Sequence, residues 1–239
     1  TPVSQDFQKL YGMCRILDDG KALGRNKDTY LNTYFFSDYM GYNWTLRPGA
    51  AELIMSKIRP LVHIVEDTKE ADLPPLTEHI SEFAMGHAAR EKYDEMKKEL
   101  VADDVEAANE AVKSGKLRQI ASGFLYREDE SGLPINANRA TAAMKWFWGL
   151  NGRRGVIFYE YVEQGAQLAR VMQSHEITTE LGLFLGPRGP QILLAQINSL
   201  SHGVDGLQHV CHDALMYQPF WSRDATEQAI GRIWRKGQT

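Results

Sequence analysis

The chemistry on offer in this sequence is concentrated near its C-terminus, where Gln228, Arg232 and Arg235 follow one another at intervals of four and three residues. If Ser222 or Asp224 caps a helix that runs through Trp234, this spacing places an amide and two guanidiniums on one helical face. Two fixed cations with planar donor forks suit a nucleotide γ-phosphate, whose charge spreads over its oxygens as the bond to it breaks. A surface helix with solvated arginines has the same spacing, so spacing alone does not choose between the two.

A second set of candidates lies in the loop from Asn198 to Gln208. Ser199 and Ser201 can donate to a phosphate, helped by the amino end of a helix expected to start near His202. Asp205 can accept a bond from a ribose hydroxyl. Loops rich in serine and glycine are also ordinary connectors after strands, and that reading stays open here.

The elements that must position these residues can be read from hydropathy. Short apolar strands are expected at Val156 to Tyr159, Gln191 to Ile197 and Ala214 to Tyr217, with helices from Arg139 to Leu150 and Gln164 to Gln173 between and before them. Wholly apolar strands separated by helices predict an α/β fold with a parallel sheet covered on both faces. In such sheets ligands bind in loops beyond the carboxyl ends of the strands.

Upstream, a helix is expected to run to Leu17 with Phe7, Leu10, Tyr11 and Cys14 inward. An aromatic cluster from Tyr30 to Trp44 reads as core, with base stacking as the lesser alternative, and a helix follows from about Pro48 to Ile58. Asp72 to Leu76 reads as a rigid connector and 77–83 as an edge strand. Helices are expected from Ala88 to Val101 and from Asp104 to Ala121, the second bent near Ser114-Gly115. From Gly123 to Asn138 turn-forming residues signal a loop or a short hairpin.

Composition sets outer limits. With 43% hydrophobic and 24% charged residues, the 239-residue chain is ordinary globular material. No apolar run approaches the roughly 18 residues that span a bilayer, and the N-terminus lacks a signal pattern, which predicts an intracellular protein without a membrane partner. The net charge of -4 does not argue for nucleic acid, but 23 of the 31 acidic residues precede Asn138. The second half can therefore still carry a local field suited to a phosphate backbone. Cys14 and Cys211 are expected as free buried thiols, and His209, Cys211 and His212 stand too close together to predict a metal site.

The run Gln228-Ala229-Ile230-Gly231-Arg232-Ile233-Trp234-Arg235-Lys236-Gly237-Gln238 closely resembles motif VI of superfamily two helicases, in the form found in Swi/Snf-type DNA translocases. The loop from Asn198 resembles motif V, and Thr1-Pro2 resembles the end of motif III. The region of Tyr159-Glu160-Tyr161 corresponds to motif IV but departs from the family's polar pair, so no DNA contact is transferred to it. Gln218 stands where an acidic residue is common and is assigned no role; Trp221 matches a frequent tryptophan and is expected to pack. Leu117 to Gly123 resembles the segment that opens the second lobe in phage-type members.

The resemblance implies a second RecA-like motor lobe over 123–239, preceded by a mainly helical, protrusion-like segment over 1–75 and by linking elements over 76–122. It implies Arg232 and Arg235 as arginine fingers, with Gln228, Gly203 and Asp205 bordering ATP. Ser199, Ser201 and His202 would face the tracked DNA strand. ATP and Mg2+ would be bound mainly by a first lobe, since neither a phosphate-binding Gly-x-x-x-x-Gly-Lys-Ser/Thr loop nor an Asp-Glu pair after an apolar strand occurs in this sequence. Double-stranded DNA and that first lobe are the implied partners, the host cytoplasm the implied location if the protein is phage-encoded, and the chain alone is expected to be inactive. Two alternatives remain: a catalytically inactive nucleic-acid-binding or protein-interaction module with this fold, and an unrelated doubly wound enzyme.

Overall fold

The computed structural model describes residues 7–62, 73–99, 101–102, 105–106, 110–172, 176–200 and 205–235. The chain divides into two compact units, Thr1–Glu70 and Ala71–Thr239.

In the first unit, helices α1 (Phe7–Asp18), α2 (Lys27–Tyr34) and α3 (Ala50–Ile58) enclose a small core, with an antiparallel hairpin of β1 (Phe35–Ser37) and β2 (Trp44–Leu46) between the last two. Helix α1 turns Leu10, Tyr11 and Cys14 inward, as their spacing predicts. Asn26 caps α2, its side-chain oxygen accepting from the N–H of Asp28 and Thr29. The aromatic cluster divides. Tyr30 is fully buried with ring centroids 5.2 Å from Tyr11 and 5.3 Å from Tyr34, whereas Tyr39 and Tyr42 stand in solvent at the hairpin turn. Core packing thus accounts for the rings on α2 and not for those at the turn.

The first described residues of the second unit, 73–86, have no regular secondary structure. The edge strand expected over 77–83 is therefore absent. The segment is held by side chains instead of a strand ladder: Asn138 Nδ2 donates to Ala84 O and Asn136 Nδ2 to Met85 O. Helix α4 (His87–Glu99) buries Met96, and Leu100 lies outside the described residues. The helix expected from Asp104 starts later. Val101–Ala102 (β3) and Val105–Glu106 (β4) pair antiparallel, and α5 spans Glu110–Ala121 without a break at Gly115. A mid-helix glycine costs only about 1 kcal/mol, which packing of α5 on α4 can offset.

Strands β5 (Phe124–Tyr126) and β6 (Gly132–Pro134) form the hairpin expected between Gly123 and Asn138. Gly123 makes the turn out of α5 possible: its φ is +91°, and an added Cβ would lie 2.3 Å from Asn136 O. Ala89, Met96, Ile120 and Leu125 form a core of their own and fasten α4 and α5 to this hairpin.

After α6 (Asn138–Gly149) comes the main sheet, made of β7 (Gly155–Tyr159), β8 (Ile177–Thr178), β9 (Ile192–Gln196) and β10 (Asp213–Met216) in the spatial order β10-β7-β9-β8, all parallel. The fold is thus α/β, with a parallel sheet flanked by helices. Strand β8 was not expected, because two residues are too few for a periodicity to register.

Alternate residues build the two sides of the sheet. Ile157, Ile192 and Leu194 pack with Ala140 and Ala143 of α6 and with Leu168 and Met172 of α7 (Val162–Met172). Val156, Phe158, Leu193 and Ala195 pack with Phe184 of α8 (Leu181–Leu185), Leu207, and Ala229 and Ile233 of α10 (Arg223–Ile233). Helix α9 (Ile197–Leu200) follows β9 directly. Both cysteines are free and buried. No helix among the described residues is long and apolar enough to cross a membrane.

Candidate functional site

Helix α10 is rooted where the sequence places its cap: the Ser222 hydroxyl oxygen accepts from Ala225 N at 3.1 Å. Its buried stripe is Ala229 and Ile233. Gln228 is exposed one turn before Arg232, and Arg232 is partly buried in the last turn.

The helix ends at Ile233, so Arg235 does not share the face of Gln228 and Arg232. Trp234 is the cause. It takes the non-helical angles φ -82° and ψ 88°, and its indole N–H donates to Pro74 O at 2.7 Å. Beyond that anchor Arg235 turns aside, and its Nη1 donates to Asp205 Oδ1 at 3.0 Å. One residue of each candidate set, thirty positions apart in sequence, therefore meets the other. Helix α10 also packs on α9 and on the short turn Leu207–His209.

Asp205 is held in place by its own loop. Gln208 Nε2 donates to its Oδ1 at 3.0 Å while Gln208 Oε1 accepts from Gly206 N at 3.1 Å. The bond from Gln208, then the Gly206 N–H, then the Arg235 charge keep this carboxyl below the usual carboxylate range. The pair stays open to solvent, with side-chain exposures of 41% for Arg235 and 76% for Asp205. Exposed pairs exchange readily, so Arg235 can leave Asp205 for another anion. Ser199 is exposed on α9. Ser201, His202 and Gly203, and the helix expected to begin near His202, lie outside the described residues.

A second constellation, which the sequence reading left without a role, sits at the carboxyl ends of β7 and β10. Gln164 of α7 is fully buried; its Oε1 accepts from Glu160 N at 2.9 Å and Tyr161 N at 3.0 Å. Its Nε2 donates to Ser122 Oγ at 3.0 Å and Gln218 Oε1 at 2.8 Å. The Ser122 hydroxyl donates to the same Gln218 oxygen at 2.8 Å, and Gln218 Nε2 donates to Glu160. Arg118 Nη2 completes the hub with bonds of 2.7 Å to Glu160 Oε2 and to Pro219 O. Gln196, at the end of β9, donates to Glu160 O at 3.0 Å.

The hub ties α5 to the loops after three parallel strands and fixes Gln218 and Pro219 in the stretch that leads to α10. One signal for it was present in the sequence: Gln164, Leu168 and Met172 recur every four residues, so the apolar stripe of α7 carries a glutamine that must be satisfied inside. Trp221 is 69% exposed with the Arg118 guanidinium 4.9 Å from its ring. It is therefore not the packing residue expected.

No group of three or more His, Cys, Asp or Glu able to hold a metal occurs among the described residues. Cys211 is spent on packing: burial pushes its thiol up to about 12.

No family model matches the chain. Over 137 residues it is 28% identical to protein p41 of Acyrthosiphon pisum secondary endosymbiont phage 1. The match covers 54% of this chain and 30% of that protein, so the chain spans less than a third of its relative's length.

Proposed function

We propose that this chain is the second, RecA-like motor lobe of a Swi/Snf-type, ATP-dependent DNA translocase. One observation carries the proposal: the loop after β9 and the end of α10 converge, so that Asp205 and Arg235 meet at 3.0 Å. In the resemblance these stretches are motifs V and VI, which must lie together to border one nucleotide. The strand order, with β7 inside and its successors on both sides, supports the same reading.

In this proposal ATP and Mg2+ are held mainly by a first lobe of the full-length protein. Lobe closure brings Arg235 from Asp205 to the γ-phosphate, with Arg232 one turn behind and Gln228 on the exposed face. Asp205, once released, accepts from the ribose. Ser199, Ser201 and His202 serve the tracked strand of double-stranded DNA, and Gly203 lets the backbone approach the nucleotide. A phage-encoded protein of this kind would act in the host cytoplasm.

The test is DNA-stimulated ATP hydrolysis by the full-length protein carrying Arg235→Ala. Turnover is expected to fall ~10³-fold with ATP binding retained. Wild-type turnover in that variant would overturn the assignment. The closed Asp205–Arg235 pair also favours a second reading, a nucleic-acid-binding module that keeps the lobe fold without hydrolysis. Salt-dependent duplex binding by a full-length protein that shows no ATPase activity would select it.

A further inference from the structure

Beside the hub, a groove of about 720 Å³ opens between the irregular segment 81–86 and the first turns of α4 and α6. Arg139 lines it. The guanidinium lies 4.8 Å from the Phe83 ring centroid and 5.7 Å from that of Tyr217. Its Nη1 donates to Tyr217 O at 2.6 Å, and its Nε is buried with no partner.

No carboxylate pairs with Arg139 among the described residues. Burial weakens its hold on the proton; Tyr217 acts against this, and the nearby charge of Arg118 acts with it. A largely buried cation left in this state is costly, and the cost falls when an anion is supplied. Arg90, exposed on the same groove, is also without a carboxylate partner and lies 5.8 Å from the Tyr93 ring.

The backbone adds to the same field. Both α4 and α6 begin without an acidic residue in the first turn, although Asn136 Oδ1 accepts from the first N–H of α6 at 3.0 Å. Asn136 and Asn138 pull segment 81–86 against the start of α6 through Ala84 O and Met85 O, which keeps the groove's two walls together. His87 at the rim is already engaged with Glu91 at 3.4 Å. Glu82 is the one carboxylate among the described residues that lines the groove, and it opposes an anion there.

We propose that this groove binds the phosphate of a nucleotide, as a monoester or within a strand, with Arg139 and Arg90 as its cations. The exposed Arg90 can turn its guanidinium fork to phosphate oxygens, a better match than a point charge, while Arg139, with Nη1 held by Tyr217 O and Nε shielded, adds its charge. The volume exceeds that of one phosphate and leaves room for a sugar and base. The inference does not depend on the motor reading, because it uses neither Asp205 nor Arg235.

Calorimetric titration of the 239-residue chain at fixed ionic strength, with inorganic phosphate, adenosine monophosphate and a 12-base-pair duplex as probes, tests it. Saturable binding of at least one probe is expected. Arg90→Gln should weaken it ~10-fold and Arg139→Gln should weaken it more, the size of a lost charge-assisted hydrogen bond. Glu82→Gln should tighten it a few-fold. Arg139 also supports Tyr217, so the exposed Arg90 and Glu82 variants decide the matter should Arg139→Gln fail to fold. Duplex binding displaced by phosphate and weakened by the variants assigns the groove to a nucleic-acid backbone, and mononucleotide binding without the duplex assigns it to a free nucleotide. No saturable binding by the wild type, or equal binding by wild type, Arg90→Gln and Glu82→Gln, would overturn the proposal.

Discussion

The hub around Gln164 and the corner around Arg235 use the same kinds of polar side chain in opposite ways. In the hub, Ser122, Gln164 and Gln218 are all at least nine-tenths buried, and each finds its partners inside the protein. At the corner, the bond that Arg235 makes among the described residues goes to a carboxylate that is itself three-quarters exposed. Apart from Arg118 Nη1, which is buried without a partner, the hub's polar atoms are spent on one another, and such a network specifies a backbone position and has little left to offer a ligand. A weakly tied, exposed cation contributes little to the fold and keeps its charge for an incoming anion. The hub should therefore matter to stability and the corner to turnover.

The largest expected effect divides the two cleanly. Arg235→Ala, beyond the ~10³-fold loss of hydrolysis that the proposed function expects in the full-length protein, should leave the urea midpoint of the 239-residue chain where it is. A fall in the midpoint would place Arg235 among the residues that hold the fold together. Gln164→Leu should do the reverse. It keeps the volume but leaves the N–H groups of Glu160 and Tyr161 and an oxygen of Gln218 short of partners, at about 2–4 kcal/mol in all. Four of the five tryptophans, Trp146, Trp148, Trp221 and Trp234, lie in the second unit, so urea unfolding followed by their fluorescence reads this loss. An unchanged midpoint would mean that water replaces the amide and that the hub is dispensable.

A buried thiol in the same loop as Asp205 sharpens the contrast through pH. Cys211 has an ordinary value of 9.0 and a folded value raised to about 12 by burial. Its contribution to stability is complete below pH 9. As pH rises from 9 toward 12 the unfolded chain gives up a proton that the folded chain keeps, and stability falls by about 1.4 kcal/mol per pH unit. Cys211→Ala should flatten that part of the unfolding profile. A profile unchanged by the substitution would assign the alkaline loss to other groups.

What the sequence revealed follows the same division between pattern and partnership. The stretches Val156 to Tyr159, Gln191 to Ile197 and Ala214 to Tyr217 were legible because wholly apolar runs between helices have few other uses. The cap at Ser222 was legible because a hydroxyl before a helix has a local partner three residues on. The edge strand over 77–83 was misread because a weak alternation says nothing about whether a partner strand is at hand. The end of α10 was misread for a related reason. Helical spacing carries Arg235 onto the face of Arg232, but a bond from Trp234 to Pro74, 160 positions away, overrides it. The hub was missed because Glu160 and Gln218 acquire meaning only together, across a sheet whose strand order the sequence does not display.

The smallest effect on the fold, and the finest division of roles, belongs to Asp205→Asn. With the carboxylate so exposed and its arginine half-exposed, the urea midpoint should not move. In the full-length protein the substitution separates two tasks that Asp205 could perform. If it accepts from the ribose, KM for ATP should rise a few-fold while kcat stays near the wild type, the loss of one modest hydrogen bond. If its main task is to hold Arg235 away from the nucleotide until the lobes close, kcat should rise and KM should stay, because the guanidinium no longer has to break an ion pair on the way to the phosphate. A fall in kcat approaching that of Arg235→Ala would contradict both, since it would mean that the closed pair is itself the hydrolysing arrangement and that the corner, like the hub, works by being satisfied.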